Sequence, residues 1–222
     1  MPEAALAEVV DDRVVDATAA GLRSRNIDVV RVATGAGAVR VVVDAIEPPA
    51  RVISGGSRTV SQLHLPKILR ATPGIDYVND AVRAMDNGEE RYAFRRASAA
   101  SDYIIGSANA IVSDGRIVNV DGGGSRISSY AYAARRVIMI VSTNKICPTL
   151  DAAVDRVRSV AVRRVNERDE TGLALAPCAH DGVCRESICR PPVRECGKML
   201  IIEKESVAGR ILVVLVDEAI GY

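Results

Sequence analysis

Four cysteines stand close together near the end of this 222-residue chain, in the pattern Cys178-x5-Cys184-x4-Cys189-x6-Cys196. Thiolates are soft ligands that suit zinc and iron–sulphur clusters. Structural zinc sites usually contain paired Cys-x2-Cys motifs, and the spacing here is wider. The pattern therefore predicts an iron–sulphur cluster of the 4Fe–4S type, with zinc as the alternative. The alternative without a metal is that these are incidental thiols in a polar loop.

The surroundings of the cysteines favour metal over disulphides. The chain has no apolar run of the roughly 20 residues that a bilayer crossing needs, and its acidic N-terminus is unlike a signal peptide. We therefore expect a cytoplasmic protein, and in a reducing compartment clustered cysteines more often bind metal than pair. His180 is a candidate replacement ligand. The fifth cysteine, Cys147, follows an apolar segment and is expected to pack in the core.

The elements that must position these groups form one α/β domain, residues 1–222, with residues 167–198 as a polar, cysteine-rich excursion. Helical and strand-like patterns alternate, which predicts a mostly parallel sheet. Strands are predicted at residues 27–32, 51–54, 75–78, 103–105, 110–112, 117–120, 137–141, 199–203 and 210–216. Helices are predicted at residues 3–24, from 59, and at 89–99, 125–134 and 150–165. Residues 39–46 are ambiguous between strand and helix.

Three turns of small residues follow predicted strands, at residues 55–59, 106–109 and 121–126. Glycines let backbone amides approach a ligand, and a helix N-terminus behind such a turn favours a carboxylate or phosphate. The second helix is predicted to begin with a capping box formed by Thr59 and Gln62. Turns of this kind also occur without ligands. Because three of them follow strands of one sheet, we expect a single ligand-binding crevice along its edge.

Several functions are excluded by the same sequence. A net charge of +1 gives no indication of nucleic-acid or anionic-membrane binding. The run at residues 34–40 begins like a dinucleotide fingerprint, but Arg40 occupies the third glycine position, which argues against a nicotinamide cofactor. The only histidines are His64 and His180, and no nucleophile elbow is present, so a Ser-His-Asp hydrolase is not supported.

Motifs from residue 55 to the C-terminus resemble the lactate-utilisation (LUD) domain family. The most specific are the runs at residues 102–111 (DYIIGSANAI), 119–122 (NVDG) and 144–146 (NKI), preceded by Gly-Gly-Ser-x-Thr at 55–59. The likeness covers nearly the whole chain and keeps the motif order. It implies a Rossmann-like three-layer sandwich, similar to the superfamily of sugar-phosphate isomerases and CoA transferases, with the cysteine-rich loop added near the C-terminus.

The resemblance also implies roles for individual residues. Substrate-binding positions are Gly55, Gly56, Ser57, Thr59, Asn109, Gly122 and Gly124. Catalytic positions are Asp121, Arg126 and Lys145. Glu89 and His180 are further candidate proton carriers. Relatives with a cysteine-rich insert begin it with Pro-Cys, matched here by Pro177-Cys178, although the last two cysteines are more widely spaced than in the family pattern.

These features predict an enzyme that acts on a small hydroxy-carboxylate or phosphate-bearing substrate, as a lyase, hydratase or isomerase or as a component of hydroxy-acid oxidation. The alternative is a non-catalytic subunit that binds a metabolite or an oxidoreductase partner and uses a structural metal loop. A metal-free isomerase of the ribose-phosphate type is a third hypothesis. A homo-oligomer is the base-rate expectation for such a protein.

Overall fold

The computed structural model describes residues 10–86, 88–158, 185, 187–190 and 196–221. The helices in this part of the chain are α1 (Asp12–Ser24), α2 (Gly35–Asp44), α3 (Arg58–Gln62), α4 (Leu65–Ala71), α5 (Asn79–Ala84), α6 (Glu89–Ser98), α7 (Ser125–Ser128) and α8 (Leu150–Arg156). The strands are β1 (Asp28–Val32), β2 (Ala50–Ser54), β3 (Ile75–Tyr77), β4 (Tyr103–Gly106), β5 (Ala110–Val112), β6 (Ile117–Asp121), β7 (Arg136–Ser142), β8 (Ile146–Cys147), β9 (Lys198–Ile202) and β10 (Ile211–Val216).

Six strands form the main sheet in the order β1-β10-β7-β4-β2-β3. Every neighbouring pair is parallel. The carboxyl ends of β2, β4 and β7 therefore lie at the same edge of the sheet, where the loops that follow them can meet. The predicted α/β class with a mostly parallel sheet is confirmed.

A second, four-stranded sheet has the order β8-β5-β6-β9. The pair β5–β6 is the antiparallel hairpin predicted around residues 113–115, and β9 adds to β6 in antiparallel register, with Lys198 opposite Asp121. This pairing brings the chain that follows the cysteine-rich segment next to the glycine-rich turn at the end of β6.

Both faces of the main sheet are buried, and β7 shows how. Val137, Met139 and Val141 point to one face and pack with α1 and the small sheet, whereas Ile138 and Ile140 point to the other and pack with α2, α3 and α4. Burying such a side chain contributes roughly 1.5–3 kcal/mol, and strands buried on both faces have near-continuous apolar sequences. The result is the three-layer arrangement of helices, main sheet, and a layer that contains the small sheet.

The small sheet is covered on its outer face by α8. Val112, Val118 and Val120 pack there with Ala153 and Cys147. Cys147 is buried in this cluster, in agreement with its predicted core role, and burial raises the pKa of its thiol.

Several predicted elements need correction. The ambiguous segment 39–46 is resolved as helix over residues 39–44, which end α2; this helix begins after Thr34, whose side chain accepts a hydrogen bond from Gly37 N–H. The helix predicted at 125–134 is the short α7 followed by a π-helical turn at Ser129–Ala133. Within the described residues the first helix begins at Asp12, where Asp11 caps it, and residues 3–9 of its predicted span lie outside them. Helix α8 ends at Arg156, and the rest of its predicted span lies largely outside the described residues.

Candidate functional site

A cavity of about 610 Å³ lies where the loops after β2, β4, β6 and β7 meet. Of the residues predicted to bind or act on a substrate, nine line it: Gly55, Gly56, Ser57, Thr59, Asn109, Asp121, Gly122, Arg126 and Lys145. A cavity of this volume is within the usual range for small-molecule sites, about 300–1,000 Å³. Gly124 and Glu89 do not line it, and His180 lies outside the described residues.

Lys145 ends the short 3-10 turn after β7 and points its amine into the base of the cavity, where the residue is only 3% exposed. Its Nζ donates to Ser107 Oγ at 3.0 Å and to Thr59 Oγ1 at 3.1 Å. Burial lowers the pKa of Lys145 from its ordinary 10.5 to about 7, and the positive charges of Arg156 and Arg126 act in the same direction. Near neutral pH the ammonium and the free amine therefore coexist, which suits a group that must both accept and return a proton.

The C-terminal segment closes over this amine. Gly221 has a φ of +78°, and its N–H donates to Gln62 Oε1 at 2.7 Å. A Cβ atom at Gly221 would lie 2.3 Å from Thr59 Oγ1 and 2.9 Å from Lys145 Nζ. Only glycine fits both the backbone conformation and the space.

The contact between Gln62 and Gly221 also corrects the predicted capping box of Thr59 and Gln62. The residue that caps α3 is Ser57, whose hydroxyl accepts a hydrogen bond from Val60 N–H.

Arg126 reaches the cavity from α7 and is held by the neighbouring loops. Its guanidinium donates to the carbonyl oxygens of Val120 and Ser107 and to Asn109 Oδ1. A guanidinium carries five N–H donors, so donors remain for a ligand after these three bonds. Gly55 is needed for this arrangement, because a Cβ there would lie 2.6 Å from Arg126 Cδ.

Asp121 and Asn109 organise the loops around Arg126. The Asp121 carboxylate accepts from Gly124 N–H at 2.7 Å and from Arg126 N–H at 3.0 Å, one bond to each oxygen. Asn109 Oδ1 also accepts from Val120 N–H, and its carbonyl oxygen accepts from Arg156 Nη1 at 2.6 Å. Both side chains thus shape the site while lining it.

Gly124 supports this turn from outside the cavity. Its φ is +95°, and a Cβ would lie 2.9 Å from Lys198 Cδ. Lys198 in turn donates to the Gly122 carbonyl oxygen at 3.1 Å. Glycine at this position is explained by backbone conformation and packing, without a ligand.

Tyr130, in the π-helical turn after α7, fills the space behind Arg126. The tyrosine is fully buried, its ring lies 5.8 Å from the Arg126 guanidinium carbon, and burial raises the pKa of its hydroxyl. A Cβ at Gly106 would collide with the Tyr130 hydroxyl, at 1.7 Å. Arg210 holds the turn by donating to the carbonyl oxygens of Ser129 and Tyr130 while pairing with Glu205 at 2.7 Å.

The cavity is strongly cationic, a property that the sequence analysis missed. Its described lining contains one acid, Asp121, against six cations: Arg58, Arg83, Arg91, Arg95, Arg126 and Lys145. Three of these, Arg83, Arg91 and Arg95, come from α5 and α6, helices whose arginines are indistinguishable in sequence from a solvated face. The available signal was spacing, since Arg91, Arg95 and Ala99 recur every four residues and all line the cavity.

Two of the predicted metal ligands are described, and neither lines the cavity. Cys189 and Cys196 are free, half-buried thiols that pack against the cluster beneath α8. No group of three or more potential metal ligands is assembled within the described ranges. Cys178 and Cys184 lie outside those ranges, so the predicted four-cysteine site as a whole does too.

The parallel sheet and its helices define an α/β protein, and the cavity at the carboxyl edge of the sheet has a volume typical of small-molecule sites. A crystal structure of a DUF162 family protein from Deinococcus radiodurans has a similar fold, with a TM-score of 0.51 and 12% sequence identity. The superposition covers 92% of this chain and 96% of that chain. In the described part of this chain, no helix combines the length and apolar character that a membrane crossing requires.

The sequence comparison identifies the family. The LUD domain model matches residues 15–216, which is most of the chain, and the protein therefore belongs to the LUD domain family. The predicted family resemblance is thus confirmed. Among curated proteins, none matches this sequence.

Proposed function

We propose that this protein is an enzyme that binds a small anionic substrate, a hydroxy-carboxylate or a phosphate-bearing molecule, and catalyses a lyase, hydratase or isomerase reaction. The observation that carries the proposal is the buried amine of Lys145, with its pKa lowered to about 7, on the wall of a cationic cavity. An unprotonated amine is a competent base, and neighbouring guanidinium groups stabilise an anion.

The division of labour follows from the contacts. Arg126, fixed by the loop carbonyl oxygens, would bind a substrate carboxylate. In an isomerisation, Lys145 would remove a proton from one carbon of the substrate, hold it as the ammonium, and return it to another carbon. In a dehydration, the proton would pass to the leaving hydroxyl group, which departs as water, and hydration is the reverse. Thr59 and Ser107 would keep the amine in place through both states, because a hydroxyl both donates and accepts.

The role assigned to Asp121 changes accordingly. Each of its carboxylate oxygens accepts a backbone N–H of its own loop. We propose that this side chain positions Arg126 and that the proton is carried by Lys145.

A second candidate function is a metabolite-binding subunit without catalysis. It is favoured by the shortage of acids, because Asp121 is the single carboxylate in the described lining and is already engaged. If Lys145 remained an ammonium in the complex, the cavity would be an anion receptor.

We further propose that Cys178, Cys184, Cys189 and Cys196 bind an iron–sulphur cluster, with zinc as the alternative. In support, Cys189 and Cys196 are both free, both half-buried and both against the same apolar cluster, as expected for two ligands of one centre. Held by four thiolates, such a cluster would transfer electrons or stabilise the fold, and with one iron left open it would supply a Lewis acid. The proton transfer assigned to Lys145 does not depend on it.

Solvent-deuterium incorporation tests the catalytic proposal. Hydroxy-carboxylates and sugar phosphates would be incubated with the protein in D2O, and exchange of carbon-bound hydrogen followed by NMR. We expect one class of compound to exchange with wild-type protein and with Lys67→Met, a control at an exposed lysine of α4. Lys145→Met should lose exchange by at least about 100-fold. Binding without any exchange would favour the receptor, and equal exchange in Lys145→Met would contradict the assigned base.

A further inference from the structure

Two faces of the cavity carry positive charge, and they differ in depth. Lys145 and Arg126 belong to the deep part, where Lys145 is buried and Arg126 is mostly buried. Arg83 and Arg95 are exposed at the rim, and Arg91, one turn before Arg95 on α6, is half-buried and also lines the cavity. The cavity has the volume of roughly twenty water molecules, which is room for a substrate with more than one anionic group.

The rim is built by two short helices that present one face each to the cavity. On each helix the residues that line the cavity recur at helical spacing: Asn79, Val82 and Arg83 on α5, and Arg91, Arg95 and Ala99 along α6. Helix α5 is tied to the end of β2, because Asn79 exchanges two hydrogen bonds with the Ser54 backbone, at 2.7 and 2.8 Å. The rim is therefore held in register with the glycine-rich turn that follows β2.

Two of the rim arginines, Arg83 and Arg95, form no short ion pair with a carboxylate among the described residues. Asp80 contacts Arg83 at 3.4 Å but forms its short hydrogen bonds with Arg70, at 2.6 and 2.7 Å. Arg95 donates to the neutral Ser125 hydroxyl at 3.2 Å and contacts no carboxylate within the described residues. A set of guanidinium groups in this condition attracts a multiply charged anion.

We propose that the arginine rim, Arg83, Arg91 and Arg95, is a second anion subsite that binds a phosphate group of the substrate. This inference rests on the proposed function and narrows it. The substrate class becomes a phosphorylated hydroxy acid or a related dianion, with its reacting end near Lys145 and Arg126 and its phosphate at the rim. Phosphate suits the rim better than a second carboxylate because it carries up to two charges and three acceptor oxygens.

Calorimetric titration of the full chain with two matched probes tests this subsite. Glycolate carries a carboxylate alone, and phosphoglycolate adds one phosphate. We expect wild-type protein to bind phosphoglycolate at least about tenfold more tightly than glycolate. In the double variant Arg83→Gln/Arg95→Gln the phosphoglycolate affinity should fall by about tenfold or more, while glycolate binding changes less than about twofold.

Two further variants complete the test. Arg96→Gln is the matched control, since Arg96 is an exposed arginine of the same helix, stacked on Tyr92 and absent from the cavity lining. It should leave both affinities unchanged, and thermal unfolding would verify that the double variant is folded. Lys145→Met should weaken the binding of both probes.

The outcomes separate the two proposals. Equal affinity for both probes, or a double variant that binds phosphoglycolate like wild type, would overturn the phosphate subsite and leave the anion-binding site intact. An equal loss of affinity for both probes in the double variant would also overturn the phosphate subsite. The rim would then act only through the positive electrostatic potential of the cavity, without contacting the phosphate. Binding of neither probe by wild-type protein would contradict the proposed function and the subsite together.

Discussion

The Nζ atom of Lys145 lies 3.0 Å from Oγ of Ser107, and both residues are buried. Lys145 follows β7 and Ser107 follows β4, neighbours in the main sheet, so the parallel topology is what creates the contact. A lysine amine removed from water and bound to a hydroxyl is a titratable group near neutral pH. The stability of the protein should reflect this burial.

We expect the stability to depend on pH through Lys145. Its folded-state pKa of about 7 lies below the unfolded value of 10.5, so between these values the unfolded chain binds more protons and stability rises with pH. The slope from one such group is at most about 1.4 kcal/mol per pH unit, and the cost of the buried ammonium is fully present well below pH 7. Urea unfolding of wild type and Lys145→Met at pH 7, 8 and 9 measures the contribution of Lys145 to stability. The contributions of the other titratable groups cancel in the difference between the two proteins. The stability of wild type relative to the variant should increase with pH, and a constant difference would show that Lys145 has an ordinary pKa.

Gly221→Ala should disturb the closure over Lys145. The substitution places a methyl group 2.3 Å from Thr59 Oγ1 at a positive φ. Gly209→Ala is the matched control, because Gly209 also has a positive φ, +73°, but its Cβ would meet no atom closer than 3.9 Å. Both should lose about 1–2 kcal/mol from backbone conformation, and Gly221→Ala about 1 kcal/mol more from the clash. Denaturant unfolding measures both, and equal losses would mean that the C-terminal segment is not packed against Thr59.

Gly55→Ala should weaken anion binding. The new methyl group would lie 2.6 Å from Arg126 Cδ and 2.9 Å from its Cγ, and Arg126 is fixed by three hydrogen bonds, so the guanidinium must shift. We expect phosphoglycolate affinity to fall by about tenfold. Gly123→Ala is the control, since Gly123 is exposed, does not line the cavity and has only Asp121 Oδ1 within reach, at 3.9 Å. Unchanged affinity in Gly55→Ala would show that Arg126 does not contact the anion.

The cysteine prediction is tested by metal content. After anaerobic purification, iron and sulphide in about equal amounts with absorption in the violet-blue would indicate a cluster, and stoichiometric zinc without colour would indicate a structural site. Cys189→Ser and Cys196→Ser should each lower the bound metal, whereas Cys147→Ala should not, because Cys147 is buried in the core. A metal-free wild-type protein that remains folded would contradict the prediction.

Local sequence patterns were sufficient for most of the fold. The aliphatic runs that became β7 and β10 are buried on both faces, and the hairpin of β5 and β6 follows from a Ser-Asp-Gly turn. The pattern was insufficient where side-chain contacts at long range decide the structure. Gln62 bonds to Gly221 instead of capping its own helix, and α7 gives way to a π-helical turn that is held by Arg210.

The dependence on long-range contacts also explains which residues of the site could be predicted from the sequence and which could not. Glycine-rich turns after strands indicated the crevice, because parallel strands bring their carboxyl ends together. The arginines of α5 and α6 were missed, since nothing local distinguishes an arginine that faces a cavity from one that faces water. The low pKa of Lys145 was equally hidden, because it depends on burial by residues from α3, the loop after β4 and the C-terminal segment.

The proton-carrying role of Lys145 is tested most directly by an NMR titration of this residue in protein labelled with 13C at the lysine ε-carbons. Lys145→Arg assigns the resonance, and the exposed Lys67 provides an internal reference in the same spectra. We predict that the Lys145 resonance titrates with a pKa of about 7. A Lys145 resonance that titrates near the usual lysine value of about 10.4 would contradict the claim that this amine carries the proton in catalysis.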